Sequence, residues 1–161
     1  MRHTLLLILL ALGLAACGPK VVTMKPLSEF PQPLVEPLPV SVGVHFPAEF
    51  ASFTHKEKRP GPGEQEWTIT LGAPQLQVFR TVLAASLRDM RELESVAAAD
   101  GALSAVIVPS VKEFQFALPA DTRGKVFEIW VKYDLGILDA KGEEIGRWVF
   151  TASGKTPTAF L

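Results

Sequence analysis

The fold turns on the stretch Phe127-Glu128-Ile129-Trp130-Val131-Lys132-Tyr133-Asp134-Leu135-Gly136-Ile137. In an extended chain Phe127, Ile129, Val131, Tyr133, Leu135 and Ile137 share one side, with Glu128, Lys132 and Asp134 on the other. A two-residue period of this kind marks a strand with one buried face. Glu128 and Asp134 are accordingly expected on a solvent-facing side without partners. Asp139-Ala140-Lys141-Gly142 then supplies turn residues, and Glu144 to Ala152 returns carrying Ile145, Trp148 and Phe150. A four-residue connection joins adjacent antiparallel strands. Upstream, Leu103 to Ile107 and Val111 to Leu118 make a further strand, interrupted at Pro109 and ended by the turn Asp121-Thr122-Arg123-Gly124. A proline cannot donate to a ladder, so Pro109 is expected at a bulge or an edge. Three strands joined by short turns form a meander.

Working back from the meander, Leu76, Phe79, Leu83, Leu87 and Met90 recur at helical spacing. One apolar stripe at that period predicts a core helix over about 74–93, entered at Pro74 and laid on a sheet. Glu66 to Leu71 alternates as a short strand, and Val40 to Phe46 alternates Val40, Val42, Val44 and Phe46 against Ser41, Gly43 and His45. Between them, residues 47–65 read as a solvated loop with a mobile, charged and turn-rich centre. The order strand, loop, strand, helix, meander is that of an α+β domain. It predicts an antiparallel or mixed sheet of about five strands with one long helix on one face. A single helix covers only part of such a face.

The first seventeen residues carry a different message. Arg2 and His3 precede a dozen apolar residues, too few to span a bilayer as a helix. A basic start, a short apolar centre and small residues before a break describe a signal peptide. Leu14-Ala15-Ala16-Cys17 resembles the lipobox of bacterial lipoproteins. The resemblance implies cleavage after residue 16, a diacylglycerol on the Cys17 thiol and an acyl chain on its new amino group. Two or more chains give stable attachment where one alone is marginal. Gly18 follows where, in enterobacterial lipoproteins, an Asp favours the inner membrane. The resemblance therefore points to the outer membrane, with the domain facing the periplasm. Cys17 is the only cysteine, so no intramolecular disulfide exists. Pro19, Pro26, Pro31, Pro33, Pro37 and Pro39 make residues 17–39 a semi-rigid tether. The organisation expected is signal peptide 1–16, lipidated tether 17–39 and a single domain over 40–161.

Removing residues 1–16 takes only Arg2 from 16 cations set against 17 acids, which leaves a net charge of −2. A nucleic-acid binder shows a clustered basic surface, and this balance offers none. The sequence has no Gly-x-Ser-x-Gly, Cys-x-x-Cys, His-Glu-x-x-His or phosphate-binding glycine loop. His45 and His55, with Glu49 and Glu57 nearby, match no metal-ligand spacing. The chain is read as non-catalytic, without cofactor or metal. Lipobox, proline tether and small α+β domain together resemble accessory lipoproteins of envelope transport and assembly machines, which implies a binding module for an envelope protein. Phe50, Phe53 and Arg59 are the candidate contact residues, because aromatic and Arg side chains dominate interface energies. Phe50 and Phe53 equally fit a role in pinning their loop to the domain's own core. The alternative function is a carrier of a lipid or other hydrophobic ligand, which requires a cavity beneath Leu83 and Leu87.

Overall fold

The computed structural model describes residues 20–23, 36–59 and 65–157; the signal peptide, Cys17 and the prolines of the tether before Pro37 lie outside them. In chain order the elements are β1 (Lys20–Thr23), β2 (Leu38–Val44), α1 (Ala48–Ala51), β3 (Thr54–Arg59), β4 (Gln65–Thr70), α2 (Gly72–Ser86), β5 (Leu87–Glu92), β6 (Ala105–Ala117), β7 (Val126–Leu138) and β8 (Glu144–Pro157). They form two sheets, one ordered β5-β2-β6-β7-β8 and a smaller one ordered β1-β4-β3. The domain is α+β, with a mixed five-stranded sheet and one long helix packed on it. β2 runs parallel to both β5 and β6, while β6, β7 and β8 form the antiparallel meander.

One inserted residue sets the phase of the meander. Ile107, Pro109 and Val111 stand opposite Ile137, Leu135 and Tyr133, whereas Phe114 and Phe116 stand opposite Val131 and Ile129. The register shifts between Val111 and Glu113, so Lys112 is the extra residue. A bulge moves every later side chain to the other parity. Odd-numbered residues before it and even-numbered ones after it therefore share the face that β7 presents with its odd-numbered residues throughout. Pro109 lies just past Ile107, where the pairing of β6 with β2 ends, so its missing N–H takes nothing from that ladder.

The small sheet and α2 lie on this one face. Trp67 is 6.0 Å from Phe116 and 6.1 Å from Phe127, centroid to centroid. Phe79 of α2 meets Tyr133 edge-on at 5.0 Å and Phe50 at 5.1 Å. Trp67, Ile69, Leu71, Phe79, Phe116, Val131, Tyr133 and Leu135 are all buried here, with Leu76 and Leu83 packed partly against them. A polar link runs through the same layer. The Tyr133 hydroxyl donates to Gln75 Oε1 at 3.2 Å, and the Gln75 amide nitrogen donates to the Phe50 carbonyl. Gly72 lets α1 and α2 touch, because a Cβ there would stand 2.1 Å from the Ala51 carbonyl oxygen. Asp139 organises the β7–β8 hairpin: its Oδ1 accepts from the Lys141 and Glu143 amides at 2.8 and 2.9 Å, and Gly142 takes a φ of 86°. Those bonds, led by the one from Glu143, hold the Asp139 carboxyl below its ordinary range.

Four expectations are corrected. Residues 47–65 are no loop: they hold α1, β3 and the start of β4. Strand β3 reads Thr-His-Lys-Glu-Lys-Arg, and its inward residues are His55, Glu57 and Arg59, so no apolar alternation announces it. The helix does not run over 74–93 but stops at Ser86, and Leu87 is already extended at φ −122° and ψ 143°. Residues 87–92 instead pair with β2. An unpaired edge on a buried strand costs more than a shorter helix, and the helical spacing of Leu87 and Met90 continues the stripe without meaning. Within the expected tether, Lys20–Thr23 is a strand parallel to β4, and β2 begins at Leu38 rather than Val40. Finally, Asp134 is buried at 2% exposure rather than solvent-facing, and Glu128 is paired with Lys155 at 2.8 Å.

Tyr133 is the only tyrosine, so an absorbance titration reports it alone. Burial pushes its hydroxyl up to about 12. The unfolded side chain releases its proton near its ordinary value of about 10. Between these values the folded state holds more protons, so this contribution to stability is intact below the lower value and is lost as pH rises through the window. The folded protein is expected to titrate near 12 and the urea-unfolded chain near 10; a folded midpoint at 10 contradicts the buried Tyr133–Gln75 link.

Candidate functional site

The side chains expected to meet a partner serve the core instead. Phe50, on α1, is 2% exposed and contacts Phe46, Phe79 and Tyr133 at 6.0, 5.1 and 6.1 Å. Phe53 packs partly buried on Phe114 at 5.9 Å. Of the two readings of Phe50 and Phe53, the structure supports the pinning one, because Phe50 on α1 and Phe53 just after it both pack on rings of the large sheet. Arg59 is a clasp between the sheets. Its Nε donates to Glu57 at 2.8 Å, one terminal nitrogen donates to the Phe116 carbonyl at 2.8 Å, and the other pairs with Asp121. The guanidinium also sits 4.5 Å from the centre of the Phe116 ring. Cys17 lies outside the described residues.

The histidines are engaged separately. His45 Nδ1 is 3.1 Å from the Leu93 carbonyl, while His55 lies 3.3 Å from Glu57 and 4.6 Å from the Phe114 ring. Among the described residues no three of His, Cys, Asp and Glu stand together as a metal site. At the place where a carrier would need a cavity, Leu87 is buried and Leu83 packs against the aromatic cluster.

What the fold leaves open is the edge strand β8, fourteen residues long and bonded to β7 on one side. Ile145 is 60% exposed, Trp148 59% and Val149 47%. Trp148 shares the face of Phe150, 4.9 Å away, and Phe150 reaches Phe79 at 6.4 Å. The covering layer reaches Phe150 and leaves Trp148 largely uncovered. Proteins usually guard such an edge with free charges. Here the charges on β8 are paired. Arg147 reaches Glu144 and Asp134, each at 2.5 Å, and Lys155 reaches Glu128. Bonding to Glu144 first and Asp134 second raises the Arg147 pKa, and bonding to Arg147 lowers that of Glu144. Asp134 also meets Lys112 at 3.2 Å, while its other oxygen is buried without a partner. The sequence did list Ile145 and Trp148, as strand residues. The signal for their exposure was the mismatch between a long meander and one helix.

No family model matches the sequence, and no curated protein matches it. Among solved structures, the crystal structure of protein XCC0632 from Xanthomonas campestris, described under family DUF330, is similar to it. The TM-score is 0.45 at 12% identity, over 87% of this chain and 82% of that one.

Truncation separates core from surface. Phe50→Ala is expected to cost about 3–5 kcal/mol, as for a buried aromatic. Trp148→Ala is expected to stay within about 0.5 kcal/mol, as for a surface position. Urea midpoints of the two variants check this, and similar losses for both would contradict the assignment of Trp148 to an open surface.

Proposed function

We propose that the chain is an envelope lipoprotein, anchored through lipid on Cys17 in the outer membrane and facing the periplasm. It works as a non-catalytic module that binds an envelope protein. The observation that carries the reading is the β8 edge, with Ile145, Trp148 and Val149 exposed and its own charges ion-paired. An extended segment that joins such an edge gains backbone hydrogen bonds along its length and seats alternate side chains beside the exposed ones. Trp148 and Val149 project to opposite faces at this edge, so a strand added there meets apolar surface on both sides. The anchor residues of this site are thus Trp148 and Ile145, in place of Phe50, Phe53 and Arg59. The lipobox supplies location, and the prolines before β2 favour extended chain between anchor and domain.

The test places a photo-crosslinking residue at 148 in the full-length protein in cells, with a second probe at 58 on the outer side of β3. A single envelope protein captured from 148, not from 58, and lost with Val149→Pro, is the expected result. Val149→Pro removes one backbone donor in the middle of β8, and the Val149 side chain lies on the face opposite the core. Equal capture from both positions contradicts the edge as the docking site. In parallel, Cys17→Ser should abolish palmitate labelling and membrane fractionation; retained labelling contradicts the anchor.

A further inference from the structure

Every described aromatic residue except one touches another ring. Phe46, Phe50, Phe53, Trp67, Phe79, Phe114, Phe116, Phe127, Tyr133, Trp148 and Phe150 all do so on the covered side of the sheet. Trp130 is the exception. It belongs to the opposite face of β7, and among the described residues neither its ring nor its indole N–H has a partner. A half-buried indole held in the middle strand of a three-strand meander, with no described ring stacked on it, is a flat apolar platform.

The platform forms one wall of a groove. Two adjacent rows cross the three strands here, Gln115–Trp130–Ser153 and Glu113–Lys132–Thr151. Between them lies an open groove of about 350 Å³ lined by Trp130, Glu113, Gln115, Lys132 and Thr151. That volume is at the lower end of the range for small-molecule sites, roughly 300–1,000 Å³. The lining mixes one flat apolar surface with a carboxylate, an amide, an ammonium and a hydroxyl. The charges on this face are matched within it: Glu113 with Lys132 at 2.8 Å, Glu128 with Lys155 at 2.8 Å, and Asp134 and Glu144 with Arg147 and Lys112. A charged ligand finds no net field to draw it in. A purely apolar ligand would bury these polar groups without replacing their water.

We propose that this groove binds a neutral saccharide unit, with the sugar ring stacked on Trp130. Sugars present an apolar C–H face and a rim of hydroxyls, which is the complement of an indole surrounded by donors and acceptors. Gln115 and Thr151 both donate and accept, Glu113 accepts, and Lys132 donates, so a hydroxyl of either orientation finds a match. The site is separate from the Trp148 contact: although Thr151 belongs to β8, Trp130 lies on the opposite face of the sheet from Trp148, and its failure leaves the docking reading untouched.

The test uses the folded protein and two neutral probes, an N-acetylglucosamine trimer and a glucose trimer, with tetramethylammonium as a cationic control. Calorimetry gives affinity, and the Trp130 indole N–H resonance gives location. Saturable binding of either sugar with a dissociation constant of about 1 mM or tighter is expected, together with a shift of that resonance. Preference for the first trimer points to a cell-wall-type amino sugar, and preference for the second to a neutral glucan. Trp130→Ala should weaken binding at least about tenfold, while Trp130→Phe, which keeps a ring to stack on, should weaken it less. Flat titrations with both sugars to about 10 mM overturn the proposal. So does binding unchanged by Trp130→Ala, or a Trp130 resonance that responds to tetramethylammonium but to neither sugar.

Discussion

The junction of Phe50, Phe79 and Tyr133 is the contact on which the remaining structure depends. It is where three separate pieces of chain meet: α1, α2 and the middle strand of the meander. Edge-to-face packing of this kind adds about 0.5–1.5 kcal/mol per pair beyond area burial. The buried Gln75 bridges Tyr133 and the Phe50 carbonyl, so the same point is fixed by direction as well as by contact. A polar group taken out of water is costly unless paired, which makes this bridge specific to one arrangement of the layers. Once α2 is fixed there, its last turn must deliver the chain to the edge of β2. Arg80 on α2 pairs with Glu92 on β5 across that return. The bond to Arg80 lowers the Glu92 pKa, and that to Glu92 raises the Arg80 pKa.

How much of this was legible in the sequence follows from where apolar alternation carries the signal. The β7–β8 hairpin was plain, since Phe127 to Ile137 alternates over eleven residues and Asp139 to Gly142 is a turn by composition. The meander, β4 and a sheet under one long helix followed from the same pattern, which left the sheet antiparallel or mixed until β2 was seen parallel to β5 and β6. Strand β3 was hidden because its inward side chains are His55, Glu57 and Arg59, which fill space between the sheets with ring and guanidinium faces instead of methyl groups. The end of α2 was hidden because no glycine or proline marks it, and Leu87 and Met90 keep helical spacing while lying on a strand. Asp134 looked solvent-facing by parity, yet Arg147 and Lys112 fold over it.

The functional residues were harder to read for a related reason. Phe50 and Phe53 beside a charged run look the same in a sequence whether they seal a core or meet a partner. Only the position of α1 over Tyr133 separates the two. Trp130 and Trp148 both sit in strands that the sequence located, but their roles depend on what covers each face. The covering layer leaves Trp148 largely bare on the helix side. The outer face of the meander leaves Trp130 open on the other. Trp148, exposed, and Trp130, half-buried, on opposite faces of one sheet give the domain two separate surfaces, one suited to backbone pairing along an edge and one to a flat ring.

The central claim is that β8 is an open edge, held from one side by β7 and available on the other. Amide hydrogen exchange resolved by residue tests it most directly, because an edge strand has its N–H groups bonded to its neighbour only at every second position. The account predicts an alternating pattern along residues 144–157, with slow and fast amides at every second residue, beside uniformly slow amides in the middle of β7. Uniform protection along β8 in the isolated protein would contradict it, since the edge would then be closed already.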